Sequence, residues 1–357
     1  MNPEVLRRAR PTIEQEFEKS EKVGEGTYGV VNRATDKKIR RTVAIKEFKE
    51  TKEGEGISQT AIREIALLRE LQHQNIVSLR SCYVDPQNRT LRLVYDYAEY
   101  DLFEITRHHR QQNQPLSDAM LLSVLYQLLC GVHFLHCNWI IHRDLKPSNV
   151  LVMGTVHNAP YEHGVVKIAD FGLARSLLNP LRPMHTVVVT IWYRPPELLL
   201  GAKNYSAAVD MWAVGAILGE LRTLYPMFPG QQKEKSNQFE DDQLRKIYEL
   251  LGTPDLNRWP AAQRLQYWST AAQWPRSPPQ LDSFFRNYGF NSAKPLYDLM
   301  LKCLDFNPDT RIRAADALQH EYFTTAEAPP RLNIFDKPLT EGQPPYPVRK
   351  KKSATKE

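Results

Sequence analysis

One octapeptide concentrates three kinds of chemistry. His142-Arg143-Asp144-Leu145-Lys146-Pro147-Ser148-Asn149 puts a carboxylate, a cation and a carboxamide within six residues. Asp144 can accept or orient a hydroxyl proton, Lys146 can neutralise a transferred phosphate, and Asn149 can offer oxygen to a hard metal. On its own the string also fits a polar turn. Lys167-Ile168-Ala169-Asp170-Phe171-Gly172 then supplies a second carboxylate ligand and a glycine that frees the backbone. Upstream, Gly24-Glu25-Gly26-Thr27-Tyr28-Gly29-Val30-Val31 spaces its glycines so that hairpin amides can approach phosphate oxygens with no Cβ in the way. The same pattern describes an ordinary glycine-rich turn. A dinucleotide fingerprint opens a helix, whereas here more strand follows, Thr42-Val43-Ala44-Ile45-Lys46, which disfavours a Rossmann unit. Lys46 projects from that strand. A lone strand lysine is usually solvated, as is a helix glutamate, yet Glu64 on the next helix is placed to hold the ammonium while it meets phosphates. The ordered co-occurrence of Gly loop, strand Lys, helix Glu, Asp144 with Asn149, and Asp170 separates the set from chance.

The elements that must position these groups have two textures. Val30–Val31, Thr42–Ile45 and Leu91–Tyr97 read as strands, and the charged stretch Glu47 to Gly56 reads as a loop. Between them Ile62, Ile65, Leu68 and Leu71 recur at helical spacing, with Arg63 and Glu64 on other faces. After Asp101 the chain turns mainly helical, and Leu121 to Leu135 is almost continuously apolar, as a buried core helix requires. Two unlike lobes are predicted, strand-rich then helix-rich. Residues 1–20 are polar, with Pro11 breaking any helix there. Asn257 to Phe285 reads as a surface excursion, and the Pro-rich tail from Pro329 as extended and loosely packed.

A chain of 357 residues, 42% hydrophobic and 25% charged, allows one large two-lobed domain or two ordinary ones and is too apolar to be disordered. It shows no run of about 18 uncharged apolar residues, so no membrane span is expected. Met1 to Pro11 carries three Arg and one Glu without an apolar run, which argues against a secretion signal. Four Cys without a CxxC pair argue against a disulfide framework or a zinc site and favour a reducing compartment. The balance of 47 Lys+Arg against 41 Asp+Glu is too slight to point to nucleic acid, and no direct nucleic-acid contact is expected.

On these motifs the chain resembles a eukaryotic protein kinase across roughly residues 17–323. The resemblance implies an α+β, bilobal protein kinase fold: a small β-rich N-lobe (17–95) with one key helix, and a larger, mainly α-helical C-lobe (96–323). An N-terminal extension (1–16) and a Pro-rich, basic tail (324–357) flank it. By resemblance Asp144 is the catalytic Asp with Lys146 beside it, Asn149 and Asp170 hold Mg2+, and Lys46 pairs with Glu64 in the active state. ATP then lies under Gly24 to Val31, with its adenine between Val23, Val31, Ala44 and Leu151. It bonds to the backbone of Asp96 and Ala98, and Tyr95 is the gatekeeper. The DLKPxN form, with Lys146, resembles Ser/Thr kinases.

The helix Ile57-Ser58-Gln59-Thr60-Ala61-Ile62-Arg63-Glu64 resembles the signature helix of cyclin-dependent kinases, which a cyclin pushes inward before Glu64 meets Lys46. No Thr-x-Tyr lies between Asp170 and Glu197, which sets mitogen-activated kinases aside. Tyr95 to Leu102, Asn138 to Ile141, the insertion from Gly154 to Gly164, Asn179 to Pro183 and Leu199 to Lys203 resemble the Mediator-associated, cyclin-C-dependent branch, plant-type members above all. That branch implies a C-type cyclin, Mediator kinase-module subunits, a nuclear location and Ser/Thr-Pro substrates such as the RNA polymerase II C-terminal domain and transcription factors. The resemblance also implies the Ser/Thr-Pro preference at Val188-Val189-Thr190 and Arg194: in cyclin-dependent kinases a valine here turns its carbonyl away, which would leave a substrate amide unsatisfied, and proline has none. Arg63, Arg143 and Arg175 resemble a phosphothreonine clamp, but His185 stands at the acceptor position, so either Thr186 or a partner's acidic group fills it. Pro195 replaces the family's alanine, and Glu197 is expected to pair with Arg311. The basic run Arg349 to Lys352 is either an import signal or a solvated tail. Two other functions stay open: a scaffold role independent of catalysis, and another transcriptional cyclin-dependent kinase with a different cyclin.

Overall fold

The computed structural model describes residues 11–26, 29–48, 59–85, 90–154, 162–176, 190–231, 239–288, 294–335 and 346. Among the described residues the first element is one helical turn, α1 (Ile13–Glu16), which forms despite Pro11, with the Gln15 side chain accepting from Thr12 N–H at 2.9 Å. Then come β1 (Phe17–Gly26), β2 (Gly29–Asp36), β3 (Thr42–Phe48), α2 (Gln59–Glu70), β4 (Leu79–Asp85) and β5 (Thr90–Asp96). The strands form one antiparallel sheet in the order β1-β2-β3-β5-β4. Alternation sorts its faces. Val43, Ile45 and Val94 pack with Ala34 and with Ile13 and Phe17 from the α1 end. The opposite face carries Val31, Ala44 and Lys46, which register places side by side: Val31 opposite Lys46, Ala44 opposite Tyr95.

The second lobe begins with β6 (Tyr100–Asp101), α3 (Leu102–Gln111), α4 (Asp118–Cys137), β7 (Ile140–Ile141), β8 (Val150–Val152), β9 (Val166–Ile168) and β10 (Arg175–Ser176). It continues through α5 (Pro196–Leu199), α6 (Ala208–Thr223), α7 (Asp241–Leu251), α8 (Trp268–Ala271), α9 (Leu281–Arg286), α10 (Pro295–Cys303), α11 (Ala314–Leu318) and α12 (Glu321–Thr324). Helix α6 is buried almost throughout, and α4 buries 11 of its 20 residues, most of them in the apolar run Leu121 to Leu135. Although no run of membrane-crossing type was expected, α4 is long and apolar enough by length and composition, yet 67% of that window is buried inside the protein. The lobes are joined behind the cleft as well as at the crossing. Asn75 donates to Val166 O, Ile168 N–H donates to Asn75 O, and Val77 N–H donates to Ile168 O.

Three expectations need correction. On α2 the buried face is Ala61, Glu64 and Leu68, while Ile62 is 55% exposed; a carboxylate goes inward because cation and hydroxyl partners wait there. The stretch Asn257 to Phe285 is no surface excursion: Trp259, Leu281 and Phe285 are core residues, and Tyr267 and Trp274 stack on Phe239. The tail is docked at least through Phe335, with Ile334 and Phe335 buried and Arg331 N–H donating to Ser123 Oγ. Its apolar residues find a groove between α4 and β6. Thr27, Tyr28, His185, Thr186, Val188, Val189, the insertion at 155–161 and the basic run at 349–352 lie outside the described residues.

Candidate active site

Gly24, Glu25 and Gly26 close β1, and Gly29, Val30 and Val31 open β2, with Gly26 opposite Gly29. Gly29 is required by close approach: a Cβ there would lie 2.1 Å from Glu47 O of β3. Val23 falls in a register irregularity between Lys22 and Gly24. Lys46 Nζ lies 2.8 Å from Glu64 Oε2 and 3.0 Å from Asp170 Oδ1. Burial works against the ammonium, but the two carboxylates overcome it and raise its pKa well above that of an ordinary lysine. The expectation of a pair that forms only when a cyclin pushes α2 inward differs from this structure, where the single chain already closes it. Tyr95 adds the second hold on α2, donating its hydroxyl to Glu64 Oε1 at 2.7 Å.

Beneath the sheet, Asp144, Lys146 and Asn149 form one cluster. Lys146 Nζ is 2.8 Å from Asp144 Oδ2, and Asn149 donates to the same oxygen at 3.1 Å and to Asp144 O at 2.8 Å. Burial pushes the Asp144 carboxyl above the usual carboxylate range, with Lys146 opposing. Asp170 is also opposed by burial, but Lys46 holds its carboxyl below the usual range, so it stays anionic. Asp170 and Arg143 both sit at positive φ, 65° and 74°, a conformation non-glycine residues keep only when their surroundings enforce it. At Arg143 the enforcing group is Asp210 of α6, which the sequence reading missed. Its carboxylate accepts from the backbone N–H of His142 and Arg143 and from His136 Nε2, at 2.8–2.9 Å. A lone acid inside the apolar run of α6 was the available signal, since a fully buried carboxylate must find donors. His142 Nε2 donates to Ala169 O at 2.9 Å, tying the octapeptide to the segment that carries Asp170.

The arrangement fits a hard divalent cation. With its amide turned to Asp144, Asn149 keeps Oδ1 for a metal, and Asp170 adds an anionic oxygen. Among the described residues no group of three or more His, Cys, Asp or Glu could hold a metal. Two oxygen ligands with the rest from phosphate and water is the pattern for magnesium rather than for a protein-caged ion. Val31, Ala44 and Leu151 are half-buried, and Ala98 packs with Met153 and Val165. Asp96 directs its carboxylate to Arg41 and Arg80. Arg63, Arg143 and Arg175 lie together; burial, then Arg175 and Arg63, lower the Arg143 pKa while Tyr205 and Asp210 oppose. Glu197 and Arg311 form a bidentate pair, and Pro195 sits ahead of α5, where helix geometry asks for no amide from it.

The model of the protein kinase domain matches residues 17–323. This chain belongs to the protein kinase family. It is 46% identical over 346 residues to the probable cyclin-dependent kinase 8 of Dictyostelium discoideum, covering 95% of this chain and 87% of that one. It is 47% identical over 346 residues to cyclin-dependent kinase E-1 of Arabidopsis thaliana (95% and 73%), and 41% identical to the serine/threonine-protein kinase SSN3 of Yarrowia lipolytica (88% and 78%). The kinase is thus a cyclin-dependent Ser/Thr kinase of the cyclin-dependent kinase 8 branch, with the α+β bilobal fold and an ATP site that takes a divalent metal.

Proposed function

We propose that the chain transfers the ATP γ-phosphate to Ser/Thr-Pro sites, on the RNA polymerase II C-terminal domain and on transcription factors, as part of a nuclear Mediator kinase module with a C-type cyclin. One observation carries the catalytic reading: Lys46 bridges Glu64 and Asp170, and the Asp144–Lys146–Asn149 cluster lies below. When bound, magnesium ATP would supply the γ-phosphoryl group, with ADP as the leaving group. Lys46 holds the phosphates, and Glu64 and Tyr95 hold Lys46. Asn149 and Asp170 keep the cation, and Asp144 orients the substrate hydroxyl and takes its proton. Lys146 neutralises charge on the equatorial oxygens. Gly24, Glu25, Gly26, Thr27, Tyr28, Gly29 and Val30 cover the phosphates, and Val23, Val31, Ala44, Leu151, Asp96 and Ala98 receive the adenine. Positioning and electrostatics supply nearly all catalysis in such sites. The relatives' names supply the cyclin dependence, and the branch supplies the Mediator and nuclear reading. The boundaries 1–16, 17–323 and 324–357 are part of the same proposal.

The test is radiolabelled phosphate transfer to a polymerase C-terminal-domain peptide, with and without cyclin C, comparing wild type with Asp144→Asn. Transfer that needs both cyclin and Asp144 supports the reading; a complementing Asp144→Asn chain in cells supports a scaffold instead. A pull-down without cyclin C or Mediator subunits, or a cytoplasmic full-length chain, overturns the module assignment.

A further inference from the structure

Behind the cleft, a chain of charges crosses from one lobe to the other. Arg41, in the turn between β2 and β3, places Nη2 3.0 Å from Asp96 Oδ1 and 3.3 Å from Glu162 Oε2. Asp96 also takes Arg80 of β4. Glu162 lies in the connection between β8 and β9, 121 residues from Arg41, and its other oxygen is 3.6 Å from Lys167 Nζ. All four side chains other than Arg80 are at most 20% exposed, so solvent screens them little.

The tail docks on the two residues that follow Glu162. Two residues on, Gly164 donates its N–H to Met153 O and accepts from Ile334 N–H. Gly164 has φ +72°, and a Cβ there would stand 1.9 Å from Asn333 Oδ1, so the tail docks against a position only glycine fills. Asn333 contacts His163 at 3.3 Å and caps Phe335 N–H, and Phe335 stacks on His163 at 4.8 Å. A continuous path therefore runs from Asn333–Phe335 through Gly164 to Glu162, then to Arg41 and Asp96.

We propose that Glu162 and Arg41 are positioning residues for the interlobe crossing, holding Asp96 so that its backbone meets the nucleotide, and that Asn333–Phe335 set Glu162 in place. This rests on the proposal that adenine bonds at Asp96 and Ala98. Loss of Glu162 leaves Arg41 Nη2 with Asp96 alone and makes Asp96 the sole anion for two arginines, which shifts the balance at the crossing without touching Lys46, Asp144 or Asp170. An ion cluster that merely stiffens the fold would lower stability and leave nucleotide affinity alone.

The experiment measures magnesium ADP binding by calorimetry, and KM for ATP and kcat with cyclin, on full-length wild type, Glu162→Gln, Arg41→Gln, Asn333→Ala and the Glu162→Gln/Asn333→Ala double variant. Glu162→Gln is expected to weaken magnesium ADP and raise KM about threefold to tenfold with kcat within about twofold, the range in which members of one ion network couple. Arg41→Gln follows it, Asn333→Ala moves the same way, and the double variant is no weaker than the weaker single. Unchanged affinity in Glu162→Gln and Arg41→Gln, or single effects that multiply in the double variant, overturns the proposal. A wild type that binds no magnesium ADP overturns the nucleotide reading itself, a result distinct from tight binding that survives Glu162→Gln.

Discussion

Tyr95 and Glu64 share a hydrogen bond of 2.7 Å, so both oxygens of a carboxylate 1% exposed are claimed, one by β5 and one by Lys46 of β3. Burial, then Glu64, push the Tyr95 hydroxyl well above the usual phenol range, and it remains a donor at any working pH. The sheet thus grips α2 at two points within the small lobe. Tyr95→Phe leaves Glu64 Oε1 buried without that donor, which costs about 1–3 kcal/mol. Urea unfolding should show the loss as a lower midpoint at unchanged slope, and an unmoved midpoint would remove the hydroxyl from the account of α2.

Lys46→Met and Asp144→Asn should each abolish phosphoryl transfer. Lys46 sits between two carboxylates and is the cation both depend on. Removing charge from a preorganised site of this class costs about a hundredfold or more in rate. Steady-state assays on folded variants check it; a variant retaining more than about a tenth of wild-type rate, a barrier change of only about 1.4 kcal/mol, contradicts the assigned roles.

The pH dependence follows from Asp144. Its folded pKa is raised by burial, so the native state binds this proton more readily than the unfolded chain. Stability from this group is therefore highest in acid and falls as pH rises through the window between the unfolded value and the higher folded one. Activity has the opposite sign, because proton acceptance needs the carboxylate. The acid limb of kcat/KM should lie above the ordinary Asp value of 3.8. Asp144→Asn should unfold no more easily than wild type at neutral pH while being inactive. An inactive variant that is also markedly less stable would assign Asp144 a structural role.

The catalytic string, the Gly loop and the strand lysine were legible because each concentrates rare residue types at short spacing. Strands β2, β3 and β5 and the helix α4 were legible from short β-type runs and continuous apolarity, whereas β1 and β4, with charged and polar residues throughout, were not. Spacing alone missed whatever depends on a distant partner. Helical period located α2 but not its inward face, since Glu64 is buried only because Lys46 and Tyr95 meet it. Asp210 read as one acid among apolar residues until the octapeptide's amides converged on it. The tail looked loose because Pro-rich composition hides Ile334 and Phe335, whose groove is made by α4 and β6.

Ile62 points the other way from Glu64 on the same helix and is 55% exposed. The isolated chain is expected to be nearly inactive and a cyclin to rescue it, with α2 as part of the contact. Because Lys46 and Glu64 already meet, a cyclin is expected to act by holding α2 rather than by first bringing the pair together. Ile62→Asp should weaken cyclin binding roughly tenfold or more, as loss of a central apolar anchor does, with little change in melting temperature. Surface plasmon resonance against cyclin C measures it. A purified single chain as active as its cyclin complex contradicts the dependence.

Glu197 and Arg311 make the most deeply buried ion pair described, 4% and 0% exposed, with Arg311 Nη1 to Glu197 Oε1 at 2.8 Å and Nη2 to Oε2 at 2.9 Å. Arg311 also donates to Ala208 O and Asp305 O and lies over Trp212, so its planar fork serves α5, α6 and the loop after α10 together. A lysine ammonium cannot reach these divergent acceptors, and Arg311→Lys is not a conservative change. Breaking one side of a buried pair leaves an uncompensated charge and costs about 3–5 kcal/mol, whereas replacing both sides by apolar groups costs less. Arg311→Lys and Glu197→Gln should therefore each lower stability strongly, and Glu197→Leu/Arg311→Met should be less destabilised than either. The singles should also lose kcat, because α5 anchors the segment carrying Thr190 and Arg194 beside the cleft. Guanidinium unfolding of the three variants decides it: a double variant as unstable as the sum of the singles would mean that the two side chains act separately.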